Sequence, residues 1–278
     1  MAQAMSLRMS LLARNDSLTD PPNRVLINAP LAGLTMGAGG NLFGTTNSGG
    51  AGGDGTVFEI SASGTESILY SFSVGTDGAY PDAPLAIDSA GNLYGMTYEG
   101  GANGDGVVFK LTYGFDGVTV NYTKSSLYSF RGGADGINPD SPLIIDGSGN
   151  LYGTTGSGGA ANSGVVFRIA PNGAESILYT FSGAADGGDP AGGLIMDSAG
   201  ALYGTTQRGG VFGYGTVFKL TPRSNSSYTE TVLYSFSGGL DGADPLGGLI
   251  MDSAGNLYGT TLQGGVGGYG EIFEIKAQ

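Results

Sequence analysis

The sequence of 278 residues contains no cysteine and no histidine. Disulfides, thiol nucleophiles, imidazole-dependent catalysis and zinc sites built on thiolate or imidazole ligands are therefore excluded. The missing cysteines do not identify the compartment, because a β domain of this length buries a sufficient core without cross-links.

Basic residues and long apolar runs are also scarce. The chain has 11 Lys and Arg against 24 Asp and Glu, a formal net charge of −13. Nucleic acids and anionic membranes require clustered cations, so this acidic protein is expected to bind neither. No apolar run approaches the ~18 residues that indicate a spanning helix, so membrane insertion is not expected. The N-terminal MAQAMSLRMSLLA is weakly basic and apolar, but its apolar run is too short and too interrupted to identify a signal peptide, which leaves a clipped or replaced export signal as an open alternative.

Glycine is abundant, with 55 residues, and it accompanies a repeat. An aromatic-glycine pair recurs at intervals of 51, 58, 51 and 55 residues. Its copies are Phe43-Gly44, Tyr94-Gly95, Tyr152-Gly153, Tyr203-Gly204 and Tyr258-Gly259. A period of this length indicates one supersecondary unit used five times.

Each unit contains four short pieces rich in β-branched and aromatic residues and bounded by turn residues, as in LIMD, NLYGTT, TVFKL and LYSF. These pieces predict strands A, B, C and D, and no segment has a helical period. Four antiparallel strands per ~50 residues predict an all-β, five-bladed β-propeller. The predicted units are about 30–72, 81–130, 139–181, 190–236 and 245–275, within one domain over 24–278 that follows an N-terminal tail, 1–23.

The fifth unit lacks a strand D, so an N-terminal strand is expected to complete the last blade and close the ring. Such closure removes two exposed sheet edges. Two segments are candidates, Leu7 to Ala13 and Arg24 to Asn28. The sequence slightly favours Arg24 to Asn28, which needs a shorter loop to the first unit.

The repeated motifs carry a family resemblance. LYGTT followed by GG, then GxGxVFKL, LYSF and DGxxP, resembles the Gloeo/Verruco (GloVer) tandem repeat of bacterial surface and secreted proteins, over about Pro30 to Ile275. The resemblance implies an extracellular or cell-surface location. It supplies no catalytic residues.

Two sets of connections are expected on one face of the propeller, which we call the loop face: the D-to-A loops and the Gly-rich B-to-C loops. The candidate ligand-binding residues are the Asp-Gly aspartates Asp77, Asp135, Asp186 and Asp241, and one B-to-C position held by Asp54, Asp105, Ser163, Tyr214 and Tyr269. Carboxylates and backbone amides bond sugar hydroxyls, and rings pack on sugars. The pattern therefore predicts lectin-like, multivalent binding of a glycan or surface polysaccharide. The same residues are also ordinary turn formers.

Other functions are less favoured. The aspartates after strand A, Asp88, Asp146, Asp197 and Asp252, could suggest a glycoside hydrolase or lyase. All four share one hairpin turn, however, and the first unit has Gly37 there, so we expect a turn role and, more generally, no catalysis. Acidic pairs in the D-to-A loops suit calcium, but no recognised calcium motif is present and no cofactor is expected. A structural or protein-interaction module of the bacterial surface remains the alternative. It would act through the variable C-to-D loops, which are expected to be long at Thr112 to Ser125 and Thr221 to Tyr228.

Overall fold

The computed structural model describes residues 27–224 and 227–277, and within these ranges the regular structure is β-strand with two short 3-10 turns. The all-β prediction is confirmed. The strands that precede and accompany the first repeat are β1 (Ile27–Asn28), β2 (Thr35–Met36), β3 (Leu42–Thr46), β4 (Ser48–Gly49), β5 (Thr56–Ile60) and β6 (Glu66–Ser71).

The remaining strands follow the same repeating order along the chain. Those of the second and third repeats are β7 (Ala86–Ile87), β8 (Leu93–Thr97), β9 (Val107–Phe115), β10 (Val120–Ser129), β11 (Ile144–Ile145), β12 (Leu151–Thr155), β13 (Val165–Ile169) and β14 (Glu175–Thr180). Those of the fourth and fifth are β15 (Ile195–Met196), β16 (Leu202–Thr206), β17 (Thr216–Pro222), β18 (Tyr228–Ser235), β19 (Ile250–Met251), β20 (Leu257–Thr260) and β21 (Ile272–Ile275).

The repeats form five separate antiparallel sheets, four with their strands in the order A-B-C-D and the fifth in the order A-B-C. The sheets are β2-β3-β5-β6, β7-β8-β9-β10, β11-β12-β13-β14, β15-β16-β17-β18 and β19-β20-β21. The first four therefore have the predicted four strands. The fifth has three, because no described strand pairs with the outer side of β21.

Strand B is the most buried strand, and its central glycine explains how the sheet is packed. Gly204 in β16 lies opposite Phe218 in β17. A Cβ atom on Gly204 would lie 2.7 Å from Phe218 Cζ, so the phenyl ring occupies the space above the glycine. The same relation recurs in every repeat, which explains why the aromatic residue of strand B is followed by glycine.

Consecutive sheets pack through four apolar clusters, one between each neighbouring pair. In each cluster the phenylalanine that follows strand D lies against the phenylalanine of strand C in the next sheet. The pairs are Phe72–Phe109, Phe130–Phe167, Phe181–Phe218 and Phe236–Phe273, with ring centroids 5.1 to 5.2 Å apart. The repeated phenylalanines of strand C and of the position after strand D thus form part of the core between sheets.

The structure shows five separate open sheets rather than one closed propeller, and it corrects the favoured closing strand. Arg24 to Leu26 and the other candidate, Leu7 to Ala13, lie outside the described residues. Ile27 and Asn28 pair with Gly49 and Ser48 of the first repeat, not with β21 of the last. Their pairing corresponds to the bridge between Ala79 and Glu99 in the next repeat, so they hold the position of a D-to-A loop and not that of a strand D.

The long C-to-D connections are also shorter than the sequence suggested. Residues 112–125 were expected to form a loop, but β9 extends to Phe115 and β10 begins at Val120. The two strands pair along this whole extension, including Tyr113 with Tyr122. Only residues 116–119 form the turn, so the variable segment is a projecting hairpin.

Candidate functional site on the loop face

The D-to-A and B-to-C loops do lie together, as predicted. Ala243 of the fourth D-to-A loop forms an antiparallel bridge with Gln263 of the next B-to-C loop. Equivalent bridges join Ala79 to Glu99, Ile137 to Ser157 and Gly188 to Arg208. The loop face is therefore a continuous backbone network in which each D-to-A loop contacts the following repeat.

Each Asp-Gly aspartate organises its own loop. The carboxylate of Asp241 accepts hydrogen bonds from Tyr234 Oη at 2.9 Å, from the Ser237 amide at 2.8 Å, and from the Ser237 hydroxyl. Asp186 makes the same three bonds with Tyr179 and Ser182. The equivalent aspartates Asp77 and Asp135 accept bonds from Tyr70 and Tyr128 and from the amides of Ser73 and Arg131. All four thus hold strand D to the loop that follows it.

These bonds determine the ionisation of the loop aspartates. Partial burial opposes the charge of Asp77, but hydrogen bonds from Lys124, Tyr70 and the Ser73 amide outweigh burial and lower its pKa. For Asp186 and Asp241, the hydroxyl and amide of Ser182 and Ser237 likewise outweigh burial and lower the pKa. Burial, followed by the neighbouring Asp77, raises the pKa of Tyr70 to about 12. Asp77, Asp186 and Asp241 are therefore carboxylates at physiological pH, and the Tyr70 side chain is neutral.

The second predicted position lies beside the D-to-A loop of its own repeat. Asp54 Oδ2 accepts a hydrogen bond from the Val74 amide at 2.8 Å. A Cβ atom on Gly132 would meet Asp105, one on Gly183 would meet Ser163, and one on Gly238 would meet the ring of Tyr214. The fifth member, Tyr269, has no such loop after it among the described residues, and it is 93% exposed.

The backbone at this position connects neighbouring repeats. The carbonyl of Tyr214 accepts a hydrogen bond from the Asp244 amide, and the carbonyl of Asp244 accepts one from the Leu262 amide. Asp244 precedes a repeat proline and has a φ of 54°. The other residues at that place, Ala29, Tyr80, Asn138 and Asp189, also have positive φ. A non-glycine residue rarely adopts this conformation, so the repeated strain shows that the loop backbone is held firmly.

Seven exposed apolar side chains lie on the loops of the last two repeats, and the sequence reasoning identified only two of them. The exposed members are Val211, Phe212, Tyr214, Leu240, Leu262, Val266 and Tyr269. We call them the aromatic patch. The signal was present in the sequence, because GGVFGYG and GGVGGYG carry bulky residues inside glycine-rich loops whose first three copies carry small or polar ones.

Three further carboxylates lie on the loop face, and two of them, Asp140 and Asp189, belong to the acidic pairs that suggested calcium. Asp82 and Asp140 directly follow repeat prolines, and Asp189 directly precedes one. Asp140 keeps contact with solvent, yet desolvation by the surrounding protein, followed by the negative charges of Asp189 and Asp82, raises its pKa to about 6. Asp82 accepts a hydrogen bond from Asn47 Nδ2 at 2.7 Å, and Asp189 lies 3.7 Å from Arg208. Carboxylates of three repeats therefore influence one another on this face.

The four turn aspartates are explained by their turns. Asp252 Oδ1 accepts hydrogen bonds from the amides of Ala254 and Asn256, and Oδ2 accepts from Asn256 Nδ2 and Tyr258 Oη. Asp88 and Asp146 have the corresponding bonds. Asp197 has those from two amides and from Tyr203 Oη, because Ala201 stands in place of the asparagine. These contacts favour the turn role over a catalytic one. In the described part of the chain, no group of three or more acidic residues is arranged to hold a metal ion.

A model of the Gloeobacter/Verrucomicrobia repeat matches the chain over residues 23–183 and 118–278. No curated protein matches the sequence. Among the described residues, no helix is long and apolar enough to cross a membrane.

Several solved structures resemble the chain at low identity. The extracellular domain of a candidate one-component system from B. thetaiotaomicron has a TM-score of 0.56 and 11% identity, covering 94% of this chain and 29% of that one. A candidate gluconolactonase has a TM-score of 0.48 and 15% identity, covering 80% of this chain and 70% of that one. A candidate glucose dehydrogenase from Thermus thermophilus has a TM-score of 0.38 and 14% identity, covering 89% of this chain and 96% of that one. The first of these shows a shared fold and nothing about activity.

Proposed function

The chain belongs to the Gloeobacter/Verrucomicrobia repeat family, and we propose that it is a non-catalytic binding module of the bacterial cell surface or exterior. Its five sheets would be the blades of a β-propeller, and its loop face would recognise a glycan or surface polysaccharide. The observation that carries the proposal is the aromatic patch, which presents Phe212, Tyr214 and Tyr269 on firmly hydrogen-bonded loops.

The chemistry of the patch suits sugars. Sugar rings have apolar faces that pack on aromatic side chains, while their hydroxyls need hydrogen-bonding partners nearby. Tyr214 and Tyr269 supply both a ring and a hydroxyl. Of the nine predicted ligand residues, these two would make the ring contacts. Asp54, Asp105 and Ser163 would offer polar contacts on the first three repeats, and the Asp-Gly aspartates would support the loops.

Rigid loops strengthen this proposal. A loop that is ordered before binding loses little conformational entropy when a ligand arrives. The fourth D-to-A loop is joined to the B-to-C loops of the fourth and fifth repeats. The Asp244 amide donates a hydrogen bond to the Tyr214 carbonyl, and the Leu262 amide donates one to the Asp244 carbonyl. The acidic surface also disfavours anionic polysaccharides, so a neutral or amino-sugar polymer is the expected ligand class.

A matched pair of variants tests the proposal. Phe212→Ala/Tyr214→Ala removes two rings from the loop face. Tyr113→Ala/Phe115→Ala removes two rings of similar exposure from the projecting hairpin, since Phe212 is 58% and Phe115 60% exposed. Wild-type protein is first screened on a glycan array at high density, and hits are measured by titration calorimetry. We expect the loop-face variant alone to lose at least tenfold in affinity. No signal on the array, or equal loss in both variants, would contradict the proposal.

The hairpin supports a second candidate, a protein-interaction module. Its tip exposes Phe115, Val118 and Val120 on the side away from the aromatic patch. An exposed apolar cluster on a projecting hairpin is a typical feature of a protein contact. If this is the function, the hairpin variant loses its binding partner in a pull-down while the loop-face variant keeps it.

A further inference from the structure

The fifth sheet has an open groove along its outer strand. The groove, of about 210 Å³, lies between β21 and the fourth repeat, and its lining includes Tyr234, Phe236, Leu240 and Asp241. Ile272 on β21 is 80% exposed. In each of the first four sheets, strand D of the same sheet pairs with strand C at this place. The groove is therefore the position of a missing strand D.

An unpaired apolar edge of this kind requires a partner. Its backbone amides and carbonyls are a template for another strand, and uncovered edges of this type cause aggregation. Glu271, directly before β21, makes a contact that strand D makes in another sheet: its carboxylate accepts a hydrogen bond from the Val266 amide. In the second sheet the Ala102 amide donates the corresponding hydrogen bond to the hydroxyl of Ser129 on strand D. A strand D with serine at this place would restore the usual contact.

The start of the described chain shows where such a strand would come from. The Ala29 carbonyl accepts a hydrogen bond from the Asn47 amide, as the Tyr80 carbonyl accepts one from the Tyr98 amide. Ala29 also has the positive φ of the residue before a repeat proline. Residues 27–29 are thus the end of a D-to-A loop. A strand D that precedes this loop would therefore come from the chain before residue 27.

The N-terminal sequence contains a segment that fits strand D. Ser6 to Leu11 reads SLRMSL, and the first strand D reads SILYSF from Ser67 to Phe72. Serine occupies the first and fifth positions of both segments, and Leu11 corresponds in the alignment to the buried Phe72. The 15 residues from Leu12 to Leu26 span up to about 50 Å when extended, which is ample for one D-to-A connection.

We propose that Ser6 to Leu11 pairs antiparallel with β21 and fills the groove, closing the ring of sheets within one chain. The segment itself lies outside the described residues. The inference rests on the open edge, on the loop position of residues 27–29 and on the serine spacing. It does not depend on glycan binding. It replaces Arg24 to Asn28 as the closing strand.

Disulfide trapping tests the register, and the absence of cysteine makes the full-length chain a clean background. In the first sheet Val57 pairs with Tyr70, so the same register places Met9 opposite Ile272. Opposed strand residues have Cα atoms about 4.5 to 5.5 Å apart, within the range of a disulfide. The test variant is Met9→Cys/Ile272→Cys. The control is Val25→Cys/Ile272→Cys, which samples the other candidate segment.

Each outcome of the cross-linking experiment indicates a different occupant of the groove, or none. We expect an intramolecular disulfide in the monomer of the Met9 variant after mild oxidation, identified by mass spectrometry of the linked peptides, and none in the control. Preferential linking of Val25 would overturn the proposal in favour of the later segment. A disulfide between two chains would assign the groove to a second copy. No linkage in either variant, with β-rich circular dichroism retained, would leave the edge unpaired and also overturn it.

Discussion

The ring of Phe236 lies edge-on against that of Phe273, with centroids 5.1 Å apart and an interplanar angle of 64°. Phe236 follows strand D of the fourth sheet, whereas Phe273 lies in strand C of the fifth. The pair therefore joins two sheets that share no strand ladder. Because three further pairs have nearly the same geometry, the stability of the assembly depends on one contact used four times.

Truncation of a pair in the middle of the series tests this dependence. Phe181 and Phe218 are both fully buried. We expect Phe181→Ala to lower the free energy of unfolding by about 3 to 5 kcal/mol, because it removes a buried ring and leaves a cavity. Phe181→Leu should cost less. A double-mutant cycle with Phe218→Leu should show a coupling of about 0.5 to 1.5 kcal/mol in urea unfolding. Additive effects would show that the rings do not interact specifically.

The central glycine of strand B is expected to be intolerant of even one methyl group. In Gly204→Ala, the new Cβ would lie 2.7 Å from Phe218 Cζ and 3.0 Å from both Phe218 Cε1 and Leu194 Cδ2. Overpacking of this kind costs about 1 to 3 kcal/mol. Gly147→Ala is the matched control, because its Cβ would meet no atom within 4 Å. Thermal unfolding should show a clear loss only for Gly204→Ala, and equal changes would contradict the packing argument.

Much of this architecture follows from sequence, and the failures have physical causes. The repeat of Tyr203-Gly204 and Phe218 predicted strands B and C because each residue type serves local pairing and sheet packing at once. Arg24 to Asn28 was favoured as a closing strand because only loop length was considered. Its last two residues instead pair with Ser48 and Gly49, a contact that no short-range pattern reveals.

The candidate site was predictable to a lesser degree. Asp-Gly spacing located the D-to-A loops, but it could not show that Asp186 already accepts bonds from Tyr179 and Ser182. The influence of Asp82 and Asp189 on Asp140 was also hidden, because those residues are far apart in the chain and meet only through packing of the repeats.

The bonds of the Asp-Gly aspartates predict a pH-dependent contribution to stability. The pKa of Asp241 is lowered in the folded protein, because hydrogen bonds from Ser237 and Tyr234 outweigh burial. The carboxylate therefore stabilises the fold above the unfolded pKa of about 3.9, and this stabilisation is lost as pH falls through the lower folded value. Asp241→Asn should cost about 1 kcal/mol at pH 7, a modest figure because the group is largely solvated.

The control for this measurement is Asp244→Asn, since Asn138 occupies the equivalent position in another repeat. Chemical unfolding at pH 7 and at pH 3 would be compared for both variants. A constant loss for Asp241→Asn across that range would show that its charge is not involved.

Glu230 occupies a position on strand D that holds a lysine in the second repeat, and this difference in charge has a cost in stability. On strand D, the residue opposite Leu111 is Lys124, and its Nζ lies 2.8 Å from Asp77 Oδ1 of the preceding repeat. The residue opposite Leu220 is Glu230, beside Asp186. Burial, followed by the charge of Asp186, raises the pKa of Glu230 from 4.5 to about 7. The residue at this position therefore attracts the neighbouring aspartate between the first and second sheets and repels it between the third and fourth.

The sign of the effect follows from that pKa. The folded protein binds the proton of Glu230 more tightly than the unfolded chain, so stability falls as pH rises from the unfolded pKa of 4.5 to the folded value near 7. Glu230→Gln should abolish this decline and raise the stability at pH 8, by on the order of 1 kcal/mol because the site is partly solvated. Glu230→Lys, which reproduces the Lys124 arrangement, should stabilise further at that pH.

Glu175→Gln provides the comparison, because Arg131 lies nearby and offsets the charge of Asp135 there. Its effect on the slope of stability with pH, measured by urea unfolding between pH 5 and pH 8, should be smaller than that of Glu230→Gln. If Glu230→Gln leaves the slope unchanged, then Asp186 and Glu230 do not repel each other in the folded protein. In that case the contact between the third and fourth sheets must open enough to hydrate both carboxylates, which would place the weakest junction of the series at this interface.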